Sequence, residues 1–337
     1  MRHVNIPIFI PHLGCPNQCV FCNQRTISGT VEFDLSKVRG IIEESLSTVL
    51  EDDEVEIAFF GGSFTGIERA LMTELLEIAY DYVKSGKVTS IRCSTRPDYI
   101  SEEILDILKR YGVKVIELGL QSTSEAVLRR TKRGHSFSDE VRACQMIVEA
   151  GFALIGQMML GLPESSLDDE IKTADFIISM GAAGARIYPT VVFRDTELCR
   201  MTERGEYTPL TNEEAAERAS TVLMRFQNAG VPVIRLGLCA SENLSGDKTY
   251  FSGPNHSALG ELAYSETYRK VIINEAKKQD YKNKNILNVF VAPHSLSKAV
   301  GQKRRNKILI KEELGISDVR FAESDAVKGL SVKLLFE

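Results

Sequence analysis

Gly14-Cys-Pro-Asn-Gln-Cys-Val-Phe-Cys-Asn23 places three thiols, Cys15, Cys19 and Cys22, in a C-x3-C-x2-C run directly after an apolar segment holding Ile6, Ile8, Phe9 and Ile10. Spacing this tight lets the three sulfurs converge only on one compact centre. A structural zinc or an ordinary electron-transfer cluster takes four protein ligands, and no fourth cysteine lies nearby. Three thiolates on a 4Fe-4S cluster leave one iron open to a further ligand. Two other readings stand beside it: a surface loop that gathers three thiols by chance, and a zinc site completed by His12. Clustered thiols in a chain of this kind point to metal more than to chance.

Outward from that loop, short apolar runs alternate with longer amphipathic ones, the pattern of parallel strands covered by helices. Strands are expected over 5–10, 54–60, 88–93, 113–118, 152–160, 185–188 and 231–236. Helices are expected over 34–50, 67–83, 101–111, 138–150, 167–180 and up to Asn228. Ser122-x-x-Glu125 and Thr211-x-x-Glu214 read as capping boxes, while Lys109 and Arg110 end one helix before Gly112 stops it. These units predict an α/β protein built as a partial (β/α)6 TIM-like barrel, with functional residues in the loops after the strands.

The chain has 337 residues, 43% hydrophobic and 26% charged, enough for one large core and a smaller appendage. Residues 1–240 are expected to form the barrel and 241–337 a small α+β domain, with the polar, turn-rich stretch 240–248 between them. The net charge of −5 argues against a protein that coats nucleic acid over its whole surface. Seven cysteines without a disulfide framework suit a reducing compartment. No apolar run approaches the ~20 residues of a membrane helix, so a cytoplasmic location is expected. Cys93, Cys144, Cys199 and Cys239 read as small apolar residues, with Cys239, near the junction, the candidate hydrogen-atom donor.

The charge balance changes near the end. Residues 277–311 carry ten Lys or Arg against one acid, Asp280. A strand over 286–291, a short helix over 295–300, the basic loop Gly301-Gln-Lys-Arg-Arg-Asn306, a helix over 307–314 and a strand over 318–322 are expected. That order resembles a KH RNA-binding module over about 285–325, whose G-x-x-G loop clamps a nucleic-acid backbone. Arg304 replaces the second glycine, and Lys303, Arg304 and Arg305 become candidate RNA contacts. A solvated basic face on a stabilising cap is the plainer alternative.

The three-thiol loop resembles the signature of the radical SAM superfamily. The resemblance implies a 4Fe-4S cluster on Cys15, Cys19 and Cys22 and S-adenosylmethionine at the open iron, cleaved reductively to a 5'-deoxyadenosyl radical. Phe21 matches the aromatic beside the adenine, and Gly61-Gly62-Ser63 the glycine-rich turn that meets the cofactor's amino group. Ser94-Thr-Arg-Pro-Asp98, Leu118-Gly-Leu-Gln-Ser122, Lys132-Arg-Gly-His135 and Gly156-Gln-Met-Met-Leu-Gly-Leu-Pro163 look like further cofactor-facing stretches of the group that holds oxygen-independent coproporphyrinogen oxidase and the catalytic subunit of Elongator. By that likeness Ser94 and Gln121 face the ribose, Arg133 the methionine carboxylate and Gln157 the ribose or adenine. Relatives often carry Glu at the position of Ser94 and a carboxylate at that of Gln157.

The details lean to the Elongator-like branch, including Arg186-Ile-Tyr-Pro-Thr-Val-Val-Phe-Arg194. Arg186, Tyr188 and Arg194 then lie at the substrate end, suited to phosphates or carboxylates. The resemblance covers roughly residues 1 to 236. The hundred or so residues beyond it lack the Gly-rich acyl-CoA turn of the acetyltransferase domain, so a stand-alone relative is expected. The expected activity is a radical SAM reaction on RNA, on a tRNA base, with an electron donor such as flavodoxin or ferredoxin. The alternatives are a small-molecule enzyme of the coproporphyrinogen oxidase type and a non-catalytic iron-sulfur protein that binds RNA or reports redox state.

Overall fold

A computed structural model of the protein describes residues 2–10, 13–15, 19–23, 33–238 and 249–337. The chain runs β1 (His3–Ile10), α1 (Val38–Leu46), β2 (Glu54–Gly61), α2 (Arg69–Lys84), β3 (Ser90–Thr95), α3 (Glu102–Arg110) and β4 (Val113–Gln121). It continues as α4 (Glu125–Arg130), α5 (Phe137–Glu149), β5 (Ala153–Leu160), α6 (Leu167–Ser179), β6 (Gly184–Pro189), β7 (Val192–Phe193) and α7 (Glu197–Glu203). Next come α8 (Asn212–Asn228), β8 (Val233–Leu236), β9 (Tyr250–Ser252) and α9 (Leu259–Ala276). The tail is β10 (Ile286–Val291), α10 (Leu296–Val300), α11 (Arg305–Leu314), β11 (Asp318–Glu323) and β12 (Lys333–Phe336).

Seven strands form one parallel sheet in the order β1-β2-β3-β4-β5-β6-β8, an open partial barrel with helices on its outside. Strand alternation divides each strand between two environments. Ile6, Ile8 and Ile10 of β1, Val55, Ile57 and Phe59 of β2, and Ile116, Leu118 and Leu120 of β4 are buried with helix residues such as Met72, Leu75 and Leu108. The intervening positions carry Glu56, Arg92 and Glu117 into the interior, where they are also buried.

The expected strands are all present, within a few residues at their ends. Two helical expectations change. The first helix stops at Leu46 rather than 50, because the Ser47 and Thr48 hydroxyls donate back to the Glu44 and Ser45 carbonyls at 2.7 and 2.8 Å and close a turn. Ser122 does not box α4. The helix is capped at Ser124, and the Glu125 carboxylate instead accepts from the Phe137 amide at 2.8 Å. Thr211 and Glu214 do form a capping box, as do Ser136 with Asp139 and Ser166 with Asp169.

In the tail, β10 pairs parallel with β11 and antiparallel with β12, a strand the sequence pattern did not predict. Its core of Leu287, Val289, Val291, Ile310 and Val319 packs on Tyr268, Ile272 and Ile273 of α9. The same helix meets the barrel, where Lys270 Nζ donates to the Ser220 and Thr221 hydroxyls of α8 at 2.7 and 3.0 Å. No helix among the described residues is long and apolar enough to cross a membrane.

Candidate active site at the barrel mouth

β1 delivers the chain directly to Cys15, and the loop it enters is packed backbone on backbone against the turn after β2. A Cβ on Gly62 would lie 2.2 Å from the Leu13 carbonyl oxygen, and one on Gly14 2.2 Å from the Ser63 carbonyl oxygen. The Gly62 amide donates to the Ile10 carbonyl at 2.9 Å and the Ser63 amide to the Leu13 carbonyl at 3.3 Å. Gly61 takes a φ of 114°, a conformation that favours glycine. The two turns therefore lock the start of the cysteine loop at the C-terminal ends of β1 and β2.

Segment 95–98 forms the hub behind this lock. Ser63 is fully buried, and its hydroxyl shares a hydrogen bond with Thr95 at 2.9 Å and accepts from the Arg96 amide at 3.3 Å. Thr65 and Thr95 are 2.5 Å apart. The Arg96 guanidinium grips Asp98 with two bonds of 2.9 and 3.0 Å, donates to the Arg133 carbonyl, and points Nη1 at Cys19 Sγ at 4.0 Å. Arg133 donates to Cys19 Sγ at 3.4 Å and to the Gly119 carbonyl. Two buried cations thus face one thiol. Burial pushes the Cys15 thiol up, while the Arg96 charge and, more weakly, Arg133 pull it down.

Behind Arg133, His135 pairs with Glu140 at 3.0 Å. Burial, then the Arg133 and Arg96 charges, push the His135 imidazole down to about 3, so the ring is neutral near pH 7. Burial likewise holds the Glu140 carboxyl well above its ordinary range. Burial thus disfavours charge on both members of the pair that backs the cationic segment.

Gln121, at the end of β4, adopts a φ of 74°, unusual for a residue with a side chain. Its amide nitrogen lies against the bare face of Gly119, and its buried Oε1 has no hydrogen-bond partner among the described residues. A buried amide oxygen without a partner is costly unless something donates to it. Ser94, Gln157 and Arg186 lie one layer deeper, gathered on Glu117. The Gln157 amide donates to it at 2.9 Å, the Ser94 hydroxyl at 3.5 Å, and Arg186 contacts both carboxylate oxygens at 2.8 Å. Arg92 bridges Glu117 at 3.0 Å to Glu56 at 2.7 Å. Burial pushes the Glu56 carboxyl up, but bonds from Ser90, the Arg92 charge and His3 hold it below its ordinary range.

Phe21 lies to one side, packed with Val20, Val192, Leu198, Met201 and Tyr207. The Cys22 amide donates to the Cys19 carbonyl at 3.0 Å. Tyr188, the residue after Ile187 on β6, is buried enough that its phenol is raised, with Arg186 pulling it back. Arg194 stands over the Phe251 ring at 5.3 Å, and its amide bonds the Thr249 carbonyl at 2.8 Å, next to the β7–β9 pair. Lys303, Arg304 and Arg305 belong to the tail, exposed on the turn that leads into α11 and on its first residue. His12 and Cys239 lie outside the described residues. Sequence reasoning passed over Arg96, Arg92 and Glu117. For Arg92 and Glu117 the available signal was a charged residue at alternate positions of a strand otherwise buried on one face, whereas Arg96 follows β3 and lay unassigned within the stretch Ser94–Asp98.

Among the described residues, no three His, Cys, Asp or Glu side chains come together as a set able to hold an ion on their own. The donors nevertheless fit a cluster and its partner molecule: three thiols on one loop, two guanidiniums beside Cys19, and an unpartnered amide oxygen at the same mouth. An open parallel barrel with these groups at the carboxyl ends of its strands defines a barrel enzyme whose chemistry is carried by a thiol-held cofactor. The radical SAM superfamily model matches residues 9–177, and the radical SAM C-terminal domain model matches 182–269. The chain belongs to the radical SAM superfamily, and it is an enzyme that uses a 4Fe-4S cluster and S-adenosylmethionine.

The tRNA uridine(34) acetyltransferase of Methanocaldococcus infernus is 30% identical over 261 residues, spanning 69% of this chain and 46% of that protein. Elongator complex protein 3 of Schizosaccharomyces pombe is 28% identical over 207 residues, spanning 56% of this chain and 38% of that protein. The chain therefore spans less than half the length of these relatives. The solved structure of archaeal Methanocaldococcus infernus Elongator protein 3 with an N-terminal deletion superposes with a TM-score of 0.63 at 24% identity, covering 80% of this chain and 63% of that one. That likeness bears on the fold.

Proposed function

We propose that this radical SAM enzyme modifies a tRNA base, with Cys15, Cys19 and Cys22 holding the cluster in a reducing, cytoplasmic setting and a flavodoxin or ferredoxin supplying electrons. Bound together, cluster and S-adenosylmethionine supply reductive cleavage to a 5'-deoxyadenosyl radical. Arg133 and Gln121 orient the methionine and ribose ends, supported by the guanidinium beside Cys19 and the unpartnered amide oxygen. Phe21, Gly61, Gly62, Ser63, Ser94 and Gln157 complete the surroundings, while Arg186, Tyr188 and Arg194 lie toward the substrate.

The observation that carries the RNA reading is the basic loop of the tail, taken with a relative named for tRNA uridine(34). Lys303 and Arg304 both hold positive φ, 51° and 61°, and with Arg305 they are exposed. Gly301, φ 76°, leaves no room for a Cβ beside Ser265 Oγ, and buried Asn306 donates to the Ser265 and Ala299 carbonyls at 2.7 and 2.9 Å. The loop is pinned at both ends with three cations outward, and Arg304 takes a left-handed conformation at the position of the second glycine in G-x-x-G. Each phosphate neutralised on a single strand adds roughly −0.7 to the slope of log affinity against log salt. Changing Lys303, Arg304 and Arg305 together to Gln should flatten the slope for bulk tRNA by about two units. No salt-dependent tRNA binding by the wild type, or an equal slope in the variant, rejects the reading.

A further inference from the structure

Phe9 is the one aromatic among the described large apolar residues that are exposed, at 41%, although it belongs to a barrel strand. Its neighbours Ile8 and Ile10 are buried on the helix side, so alternation turns the Phe9 ring to the other face. There it sits opposite Phe60 across the β1–β2 register, with ring centroids 6.3 Å apart and planes tilted by 47°. The Arg186 guanidinium lies over Phe60 at 5.7 Å. β1 is the edge strand of the open barrel, and it leads straight into the cysteine loop.

The chemistry of this surface is specific. Arg186 has its charge answered by both oxygens of Glu117, so it offers Phe60 a flat cationic backing and little attraction for a phosphate. What remains exposed is an aromatic face. Aromatic faces hold planar rings, and nucleobases stack on them irrespective of sequence. A ring resting on Phe9 would lie at the mouth, six residues in sequence from Cys15.

We propose that Phe9, backed by Phe60 and Arg186, is the platform on which a nucleobase of the RNA substrate stacks. The proposal rests on the tRNA reading above and adds the residue that would hold the base.

The test compares Phe9→Ala and Phe9→Trp in the full-length protein reconstituted with its cluster. Filter binding measures affinity for bulk tRNA, and equilibrium dialysis measures affinity for S-adenosylmethionine. Losing one stacked base should weaken tRNA binding by roughly ten- to hundredfold in Phe9→Ala. Phe9→Trp should restore it, and both variants should bind S-adenosylmethionine like the wild type. Wild-type tRNA affinity in Phe9→Ala overturns the platform alone. A parallel loss of S-adenosylmethionine affinity also overturns it, because the ring then serves the cofactor's adenine. If the wild type itself binds no tRNA, the substrate reading fails and takes the platform with it.

Discussion

Gly62→Ala separates two roles for the glycine turn after β2, as a bare surface for a ligand and as a packing partner of the cysteine loop. The added Cβ would stand 2.2 Å from the Leu13 carbonyl oxygen and 3.3 Å from that of Ile10. Ordinary contact begins at 3.4 Å, so the Leu13 carbonyl must retreat by about 1.2 Å. That oxygen is backbone, two residues before Cys15, and it accepts the 3.3 Å bond from the Ser63 amide. A retreat of this size breaks the bond and moves Cys15 with it. Overpacking of this kind costs ~1–3 kcal/mol, and the lost hydrogen bond adds ~0.5–1.5 kcal/mol. The expected outcome is a lower melting temperature, with iron and sulfide per chain well below wild type after anaerobic reconstitution. Gly40→Ala is the control, because its Cβ meets nothing within 4 Å among the described residues and it lies within α1. It should load cluster normally and gain ~0.5–1 kcal/mol from helix propensity. Normal iron and sulfide in Gly62→Ala, with only S-adenosylmethionine binding impaired, would refute the packing argument.

Two further outcomes follow from the buried charges. Glu117→Ala leaves Arg92 and Arg186 without their shared carboxylate and should cost ~3–5 kcal/mol in denaturant unfolding, whereas Ser94→Ala, which removes a contact of 3.5 Å, should cost less than ~1 kcal/mol; equal costs would deny Glu117 its central place. Glu140 is raised in the folded state by burial, so its stabilisation is full below the unfolded carboxyl range and is lost as pH rises through the folded value. Glu140→Gln should therefore melt higher than wild type at pH 8 by more than it does at pH 5, and a pH-independent difference would contradict a carboxyl raised by burial.

The strands were legible because the helix-facing residues of β1 to β6 are apolar at every second position. The residues between them were not, for a physical reason. A polar side chain on the second face of a strand reads the same whether that face meets water or the inside of a barrel. Glu117 and Arg92 answer each other across β3 and β4, and only the closing curvature of the sheet makes that pairing necessary. The short strands β7 and β9 were missed because each has too few residues for a period, and they meet only through the long connection between 193 and 250. β12 was missed likewise, as four residues at the end of the tail.

The site divides along the same line. Three thiols in eight residues point the loop to a metal centre, so the motif carries its chemistry in the sequence. Gly-Gly-Ser carries no such restriction, because close approach of a ligand and close approach of another backbone both demand a missing Cβ. The distances decide part of the question. At Gly62 the missing atom is required by Leu13, and at Gly14 by Ser63. The glycines thus fix where the cysteine loop begins, and Thr95 and Arg96 tie that beginning to Arg133 and Cys19. The positions of the thiol loop and of its cationic wall are therefore mechanically linked. A change at segment 95–98 should move both, which is why a turn without an obvious ligand can matter as much to cofactor chemistry as a residue that touches the cofactor.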